Sequence, residues 1–180
     1  MRRRLTVIIS LFLLAITLMA FFFTAGCSSS TNADDLKISG SDGAIEMTAK
    51  RNGSKVDVTV RLEKNCGINA MTLTLAYDTD VLTLTGLDEG KALASLDLMT
   101  TNTKTEKGYA VTPFKFNYLN ANQNDTSTGV MFTLHFSVKK NAKGNTTVGL
   151  KYKSGAIKAL DNGEIVAKKF SIYPATVTLS

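Results

Sequence analysis

Tryptophan is absent from this sequence, and histidine occurs once, as His135. There are two cysteines, Cys27 and Cys66, and two prolines. Each shortage narrows what the chain does. Sugar-binding faces stack pyranose rings on flat aromatic side chains. Here only tyrosines and phenylalanines are available for that, and most fall on core-facing positions, which argues against a flat cellulose-binding face. No CxxC and no Cys/His cluster occurs, which argues against zinc. There is no Gly-x-Ser-x-Gly elbow and no phosphate-binding loop. His135 lies on the polar phase of an alternating run, between Leu134 and Phe136, and reads as solvated or locally hydrogen-bonded. The carboxylate pairs Asp88-Glu89 and Asp161/Glu164 fall in expected turns. A glycosidase pair depends on separation in space, which sequence spacing leaves open. The chain reads as non-enzymatic, with no cofactor expected.

The formal net charge is +6, from 21 Lys and Arg against 15 Asp and Glu. Half of that excess is Arg2, Arg3 and Arg4. Beyond them the basic pairs Lys139-Lys140 and Lys168-Lys169 read as solvated strand-end charges, and nucleic acid is not an expected partner.

The three arginines open a run with the layout of an export signal. An uncharged apolar stretch follows from Leu5 to Phe23, then Thr24, Ala25, Gly26 and Cys27, then three serines. Small-small-Cys after an apolar run resembles the lipobox of bacterial lipoproteins, in which the cysteine receives a diacylglycerol and becomes the new N-terminus. Thr24 departs from that motif, which usually has an aliphatic there. Two other readings stay open: an uncleaved membrane anchor, since the run is long enough to span a bilayer, or ordinary signal cleavage and release. All three leave the arginines inside and the rest outside. The expectation is residues 1–26 as signal peptide and Cys27 as the lipid attachment point, with a cell-membrane location facing outward. Cys66 is then unpaired and reads as a small buried residue in a turn.

Residues 27–44 are rich in Ser, Asn, Asp and Gly and read as a flexible tether; Leu36 and Ile38 are candidates for a short edge strand. From 45 to 180 the pattern has period two. Val56, Val58, Val60 and Leu62 alternate with polar residues; Met71, Leu73, Leu75 and Tyr77 alternate with Thr72, Thr74 and Ala76, and later Val130, Phe132, Leu134, Phe136 and Val138 alternate with Met131, Thr133, His135 and Ser137. Val81–Leu87, Tyr109–Tyr118, Val148–Tyr152 and Ala175–Leu179 read as further strands. Pro113 marks an edge or a bulge within its strand. Asp161-Asn162-Gly163 is a strong turn signal. Lys91–Met99 fits either a short helix or an irregular strand. The fold class is all-β: an antiparallel jelly-roll β-sandwich of about nine strands. The loop Asn120–Asp125 places oxygen side chains at alternate positions, as a calcium loop does, but lacks the Asp-x-Asp-x-Asp-Gly pattern and the distal Glu. It reads as an Asn-rich hairpin loop.

Three blocks carry a family resemblance. Gly67–Leu87, GINAMTLTLAYDTDVLTLTGL, is similar to cohesin domains of cellulosomal scaffoldins: a Gly-Ile turn, an alternating strand, Tyr-Asp, two turn residues, Val-Leu and a strand ending near Gly. Pro113-Phe114-Lys115-Phe116 through Gly129–Leu134 to Val138-Lys139 is similar to the family's next block. Asp161–Glu164 followed by Ala175–Leu179 resembles its last hairpin and strand. The resemblance implies a nine-stranded jelly roll that binds the dockerin module of secreted enzymes, chiefly polysaccharide hydrolases. Many cohesins place an amide and an acidic residue outward on the strand after the Gly-Ile turn. The matching positions here are Ala70 and Thr72, which implies a divergent partner.

Alternation adds a candidate face. It sends Met71, Leu73, Leu75, Phe114 and Phe116 inward and leaves Thr72, Thr74, Lys115 and Asn117 facing out. Resemblance and periodicity together point to a non-catalytic module that holds a dockerin-like protein on this face. Direct carbohydrate binding on the same fold, or an adhesive or structural surface lipoprotein, are the alternatives.

Overall fold

The computed structural model describes residues 33–93, 97–100, 104–106 and 109–179, with side chains outside 97–113. Cys27 and the rest of the export signal lie outside the described residues.

Among the described residues the chain forms thirteen strands and one 3-10 turn at Ala33–Asp35. β1 (Gly43–Asn52) and β2 (Lys55–Lys64) make a long hairpin. β3 (Ala70–Tyr77) and β4 (Leu82–Glu89) follow, then the short β5 (Asp97–Thr100) and β6 (Lys104–Glu106). β7 (Tyr109–Leu119), β8 (Gly129–Val138) and β9 (Asn145–Lys151) come next. β10 (Ile157–Asp161), β11 (Glu164–Ala167), β12 (Phe170–Tyr173) and β13 (Ala175–Thr178) complete the order. One sheet runs β12-β1-β2-β8-β4, and the other runs β11-β10-β3-β7-β5, with β6 on β7 and β9 between β3 and β13.

Period-two sequence produces these layers directly. Val56, Val58, Val60 and Leu62 are fully buried on one face of β2, while Met71, Leu73 and Leu75 are buried from β3. They share one core with Phe116 of β7 and Phe132, Leu134 and Phe136 of β8. Two aromatic pairs join the sheets. Phe116 and Phe132 stack with ring centroids 4.2 Å apart, and Tyr77 meets Phe136 edge-on at 5.1 Å. Such pairs add to the stabilisation from burial itself.

The strand count exceeds the expected nine because short segments break up what reads as continuous. Pro174 separates β12 from β13, and the two belong to different sheets. Proline has no N–H to donate, so a ladder is interrupted most easily there. One pair also departs from the antiparallel expectation: β12 runs parallel to β1, with Ile45 opposite Ile172. Within Lys91–Met99, Asp97 onward is strand. The expected irregularity at Pro113 is present. Thr74 opposes Lys115 but Ala76 opposes Val111, so β7 bulges between them. The Asn162-Gly163 turn has φ of 50° and 85°, as a two-residue hairpin with both central residues left-handed requires.

Two features lie before β1. Leu36 is buried against Ala76, and a Cβ on Gly149 would sit 2.8 Å from its Cδ1, so glycine makes room for it. Ile38 forms a single bridge to Ile172 rather than a strand.

Candidate functional site

β3 and β7 are adjacent and antiparallel, and their register brings the four candidate residues together. Thr72 lies opposite Asn117, and Thr74 opposite Lys115. All four are half-buried, while the intervening Met71, Leu73, Leu75 and Phe116 are buried, so the four share the outer face. Phe114 is partly buried and packs against the core. The Thr72 hydroxyl donates to Asn117 Oδ1 at 2.8 Å. That bond fixes both side chains across the strands, giving a rigid polar centre on a pleated surface.

Long-range pairing adds residues that alternation alone did not select. β9 joins the other side of β3 with Lys151 opposite Thr74. One row therefore reads Lys151, Thr74, Lys115 across three strands. Ala70 lies opposite Leu119 on β7 and opposite Lys158 on β10. Leu160 faces Ile165 in the β10–β11 hairpin, on the same phase as Lys158. Leu119 is 74% exposed and Ile165 61%, so the lower part of the face is apolar. No local periodicity tells which strand will lie beside β3, so only the β3–β7 part of this surface was visible beforehand.

The loop at Asn120–Asp125 uses its oxygens on the protein itself. Asn124 Oδ1 accepts from Leu160 N–H and its Nδ2 donates to Leu160 O, at 2.7 and 2.8 Å. Asp125 accepts from Ser127 N–H and from the Tyr118 hydroxyl. Burial pushes the Asp125 carboxyl up, but the hydrogen bonds from Ser127 and Tyr118 outweigh it and hold the group below the usual value. Among the described residues no three His, Cys, Asp or Glu side chains converge as a metal site would require. Cys66 sits in the expected turn, where Asn65 Oδ1 accepts from Gly67 N–H, but it is exposed rather than buried. The turn occupies Asn65 with loop carbonyls and leaves the next side chain pointing outward.

On the opposite sheet His135 is locally hydrogen-bonded. Its Nδ1 is 2.7 Å from Asp57 Oδ1 and its Nε2 is 3.0 Å from Asp88 Oδ2. Gly86 on β4 lies opposite His135, and Lys50 on β1 lies opposite Asp57. The Asp57 contact first, and the Asp88 contact second, raise the His135 pKa above its ordinary 6.5. A raised folded value means that the imidazolium is favoured by the fold. The stabilisation is fully present below 6.5 and is lost as pH rises through the folded value. The melting temperature should therefore fall by about 1–3 °C on going from about pH 5.5 to 8.5, small because the cluster is exposed. His135→Gln should remove that slope in a thermal-melting series. An identical slope in the variant would assign it to other groups.

The family described as Cohesin domain matches residues 43–172, well over half of the chain. No curated protein matches the sequence. Several solved structures share the fold. The seventh ScaB type I cohesin of Pseudobacteroides cellulosolvens superposes with a TM-score of 0.56 at 20% identity, covering 76% of this chain and 92% of its own. The sixth cohesin of Acetivibrio cellulolyticus scaffoldin B, solved with a Cel5 dockerin mutant, gives 0.53 at 21% identity, over 79% and 100% of the two chains. A type I cohesin–dockerin complex of Clostridium thermocellum, Coh-OlpA-Doc918, gives 0.51 at 18%, over 75% and 98%. At such identities the superpositions establish the fold, and the sequence match supplies the kinship: the chain belongs to the cohesin domain family.

Proposed function

We propose that this chain is a non-catalytic binding module that holds a dockerin-like module of secreted, polysaccharide-degrading enzymes. The observation that carries it is the outer β3–β7 face of a cohesin domain, with the Thr72–Asn117 hydrogen bond at its centre. Short polar groups on rigid strands order little on binding, which limits the entropic cost of docking. Fold relatives solved as cohesin–dockerin complexes support the same reading. The test is calorimetric titration of the chain with dockerin modules and, separately, with soluble cellulose- and xylan-derived oligosaccharides. Saturable dockerin binding with no heat from the sugars is the expected result. Binding to sugar alone would replace this reading with direct carbohydrate recognition.

The second half of the proposal is location. Cys27 carries a diacylglycerol, and the module stands outside the cell membrane on that anchor. Two acyl chains, at about 0.8 kcal/mol per buried methylene, make such attachment durable. Cells labelled with a clickable fatty acid should show incorporation into the wild-type chain and none into Cys27→Ala. Equal labelling of both would exclude Cys27 as the attachment point.

A further inference from the structure

β11 ends the β3 sheet with an open edge. All four of its residues, Glu164–Ala167, are exposed, Ile165 by 61% and Val166 by 36%. Edge strands are usually guarded by a charge, a proline or a bulge, because their unpaired N–H and C=O groups invite another strand. Between Glu164 and Lys168 this edge carries none of these. The hairpin decides which backbone groups face outward. Asp161 and Glu164 flank its two-residue turn and form the hydrogen-bonded pair that closes it. Such pairs recur at every second residue, and Lys168 N–H accordingly donates to Ile157 O at 2.8 Å. Glu164, Val166 and Lys168 therefore direct their backbone groups to β10. Ile165 and Ala167 turn theirs to the open edge.

We propose that β11 pairs antiparallel with β11 of a second copy of this chain, about a two-fold axis at Val166. Centring the axis on any residue of β11 sets outward-facing groups opposite each other, and the charges choose among the centres. On Glu164 the axis opposes two carboxylates. On Ile165 it sets Glu164 against Val166, and on Ala167 it sets Val166 against Lys168. Centred on Val166, it brings Glu164 of each copy to Lys168 of the other. Ile165 then lies opposite Ala167 of the second copy, and the two such pairs close four backbone hydrogen bonds. Neither Glu164 nor Lys168 forms a direct ion pair with another described residue. Asp42 accepts from Lys169 N–H at 2.6 Å and feels Lys168 at longer range. An edge of four residues is well below the about 1,200 Å² that a stable complex buries, so the pairing is weak and reversible. Opposed residues of an antiparallel pair share a face, so the axis stands perpendicular to the sheet. The two β3 strands then lie five strand spacings apart, about 24 Å, with both Thr72–Asn117 faces on one side. On the dockerin reading, two partners would dock side by side.

The test is disulfide cross-linking of the full-length chain with Cys27→Ser and Cys66→Ser, so that an introduced thiol is the only one. Val166 faces its own copy across a non-hydrogen-bonded pair, where Cα atoms are about 4.5 Å apart, within disulfide range. Val166→Cys should therefore give a linked dimer on mild oxidation. Ile165→Cys, displaced by two residues from its own copy, should link at least about fivefold less. Adding Glu164→Lys to Val166→Cys opposes two lysines at each end and should cut linking at least about fivefold. Adding Lys168→Glu as well restores both ion pairs and should restore linking. Melting curves check the fold. Should the Glu164→Lys variant not fold, Lys168→Glu alone makes the equivalent clash between carboxylates. No linked dimer, equal linking at 165 and 166, or linking that ignores charge reversal overturns the pairing. The dockerin titration described above is independent of each of these outcomes.

Discussion

Thr72→Arg should weaken partner binding by about 2 kcal/mol or more, some thirtyfold in Kd, while the protein melts within a few degrees of wild type. The side chain at 72 is half-buried on the outward phase of β3, between the buried Met71 and Leu73. An arginine there projects from the sheet without entering the core. It obstructs the centre of the proposed contact and adds a fourth cation to a face that already has Lys115, Lys151 and Lys158. The cost to the fold is the lost hydroxyl bond to Asn117, a net effect of about 1 kcal/mol. Thr74→Arg, one row away, should act in the same direction and keeps the Thr72–Asn117 bond. Calorimetric titration paired with thermal melting separates the two effects. Unchanged binding in both variants, with the fold intact, would move the site to the loops at the ends of the sandwich.

Phe116→Ala should cost about 3–5 kcal/mol of stability. Phe116 is 1% exposed and stacks on Phe132, which is equally buried, so the pair ties the binding sheet to its opposite layer. Truncation leaves a cavity at the junction of the two sheets and removes a ring contact that no neighbour replaces. Against a total stability of about 5–15 kcal/mol, this is a large share. Denaturant unfolding with matched m-values measures it. A loss under about 1 kcal/mol would mean that the core collapses around the missing ring and that the stack is incidental to holding the sheets together.

These two variants sit on opposite phases of the same sheet, and that phase relation was legible in the sequence. Met71, Leu73 and Leu75 against Thr72 and Thr74 allow only one face to be buried, because a one-residue slip would expose three large apolar side chains. The Asn162-Gly163 turn was equally plain, since few residues adopt the left-handed conformation that its hairpin needs. What stayed hidden was long-range. Lys151 stands beside Thr74 because β9 and β3 pair across a wide stretch of sequence, and no local pattern encodes that choice of neighbour. Equally hidden was the parting of β12 and β13 to opposite sheets at Pro174. Leu36 read as part of a short edge strand with Ile38; it is buried against Ala76 instead, and that burial depends on a glycine far along the chain, Gly149. Cys66 was expected to be buried in a turn; the turn at Asn65–Gly67 is there but places the side chain outward.

The measurement that bears most directly on the account is hydrogen–deuterium exchange of the chain, alone and saturated with a dockerin module. Binding to the proposed face predicts slower exchange confined to β3, β7 and the neighbouring ends of β9 and β10, with the β1–β2–β8 sheet unchanged. Protection concentrated in the loops at 120–127 and 139–144, or on the sheet that contains His135, would contradict it.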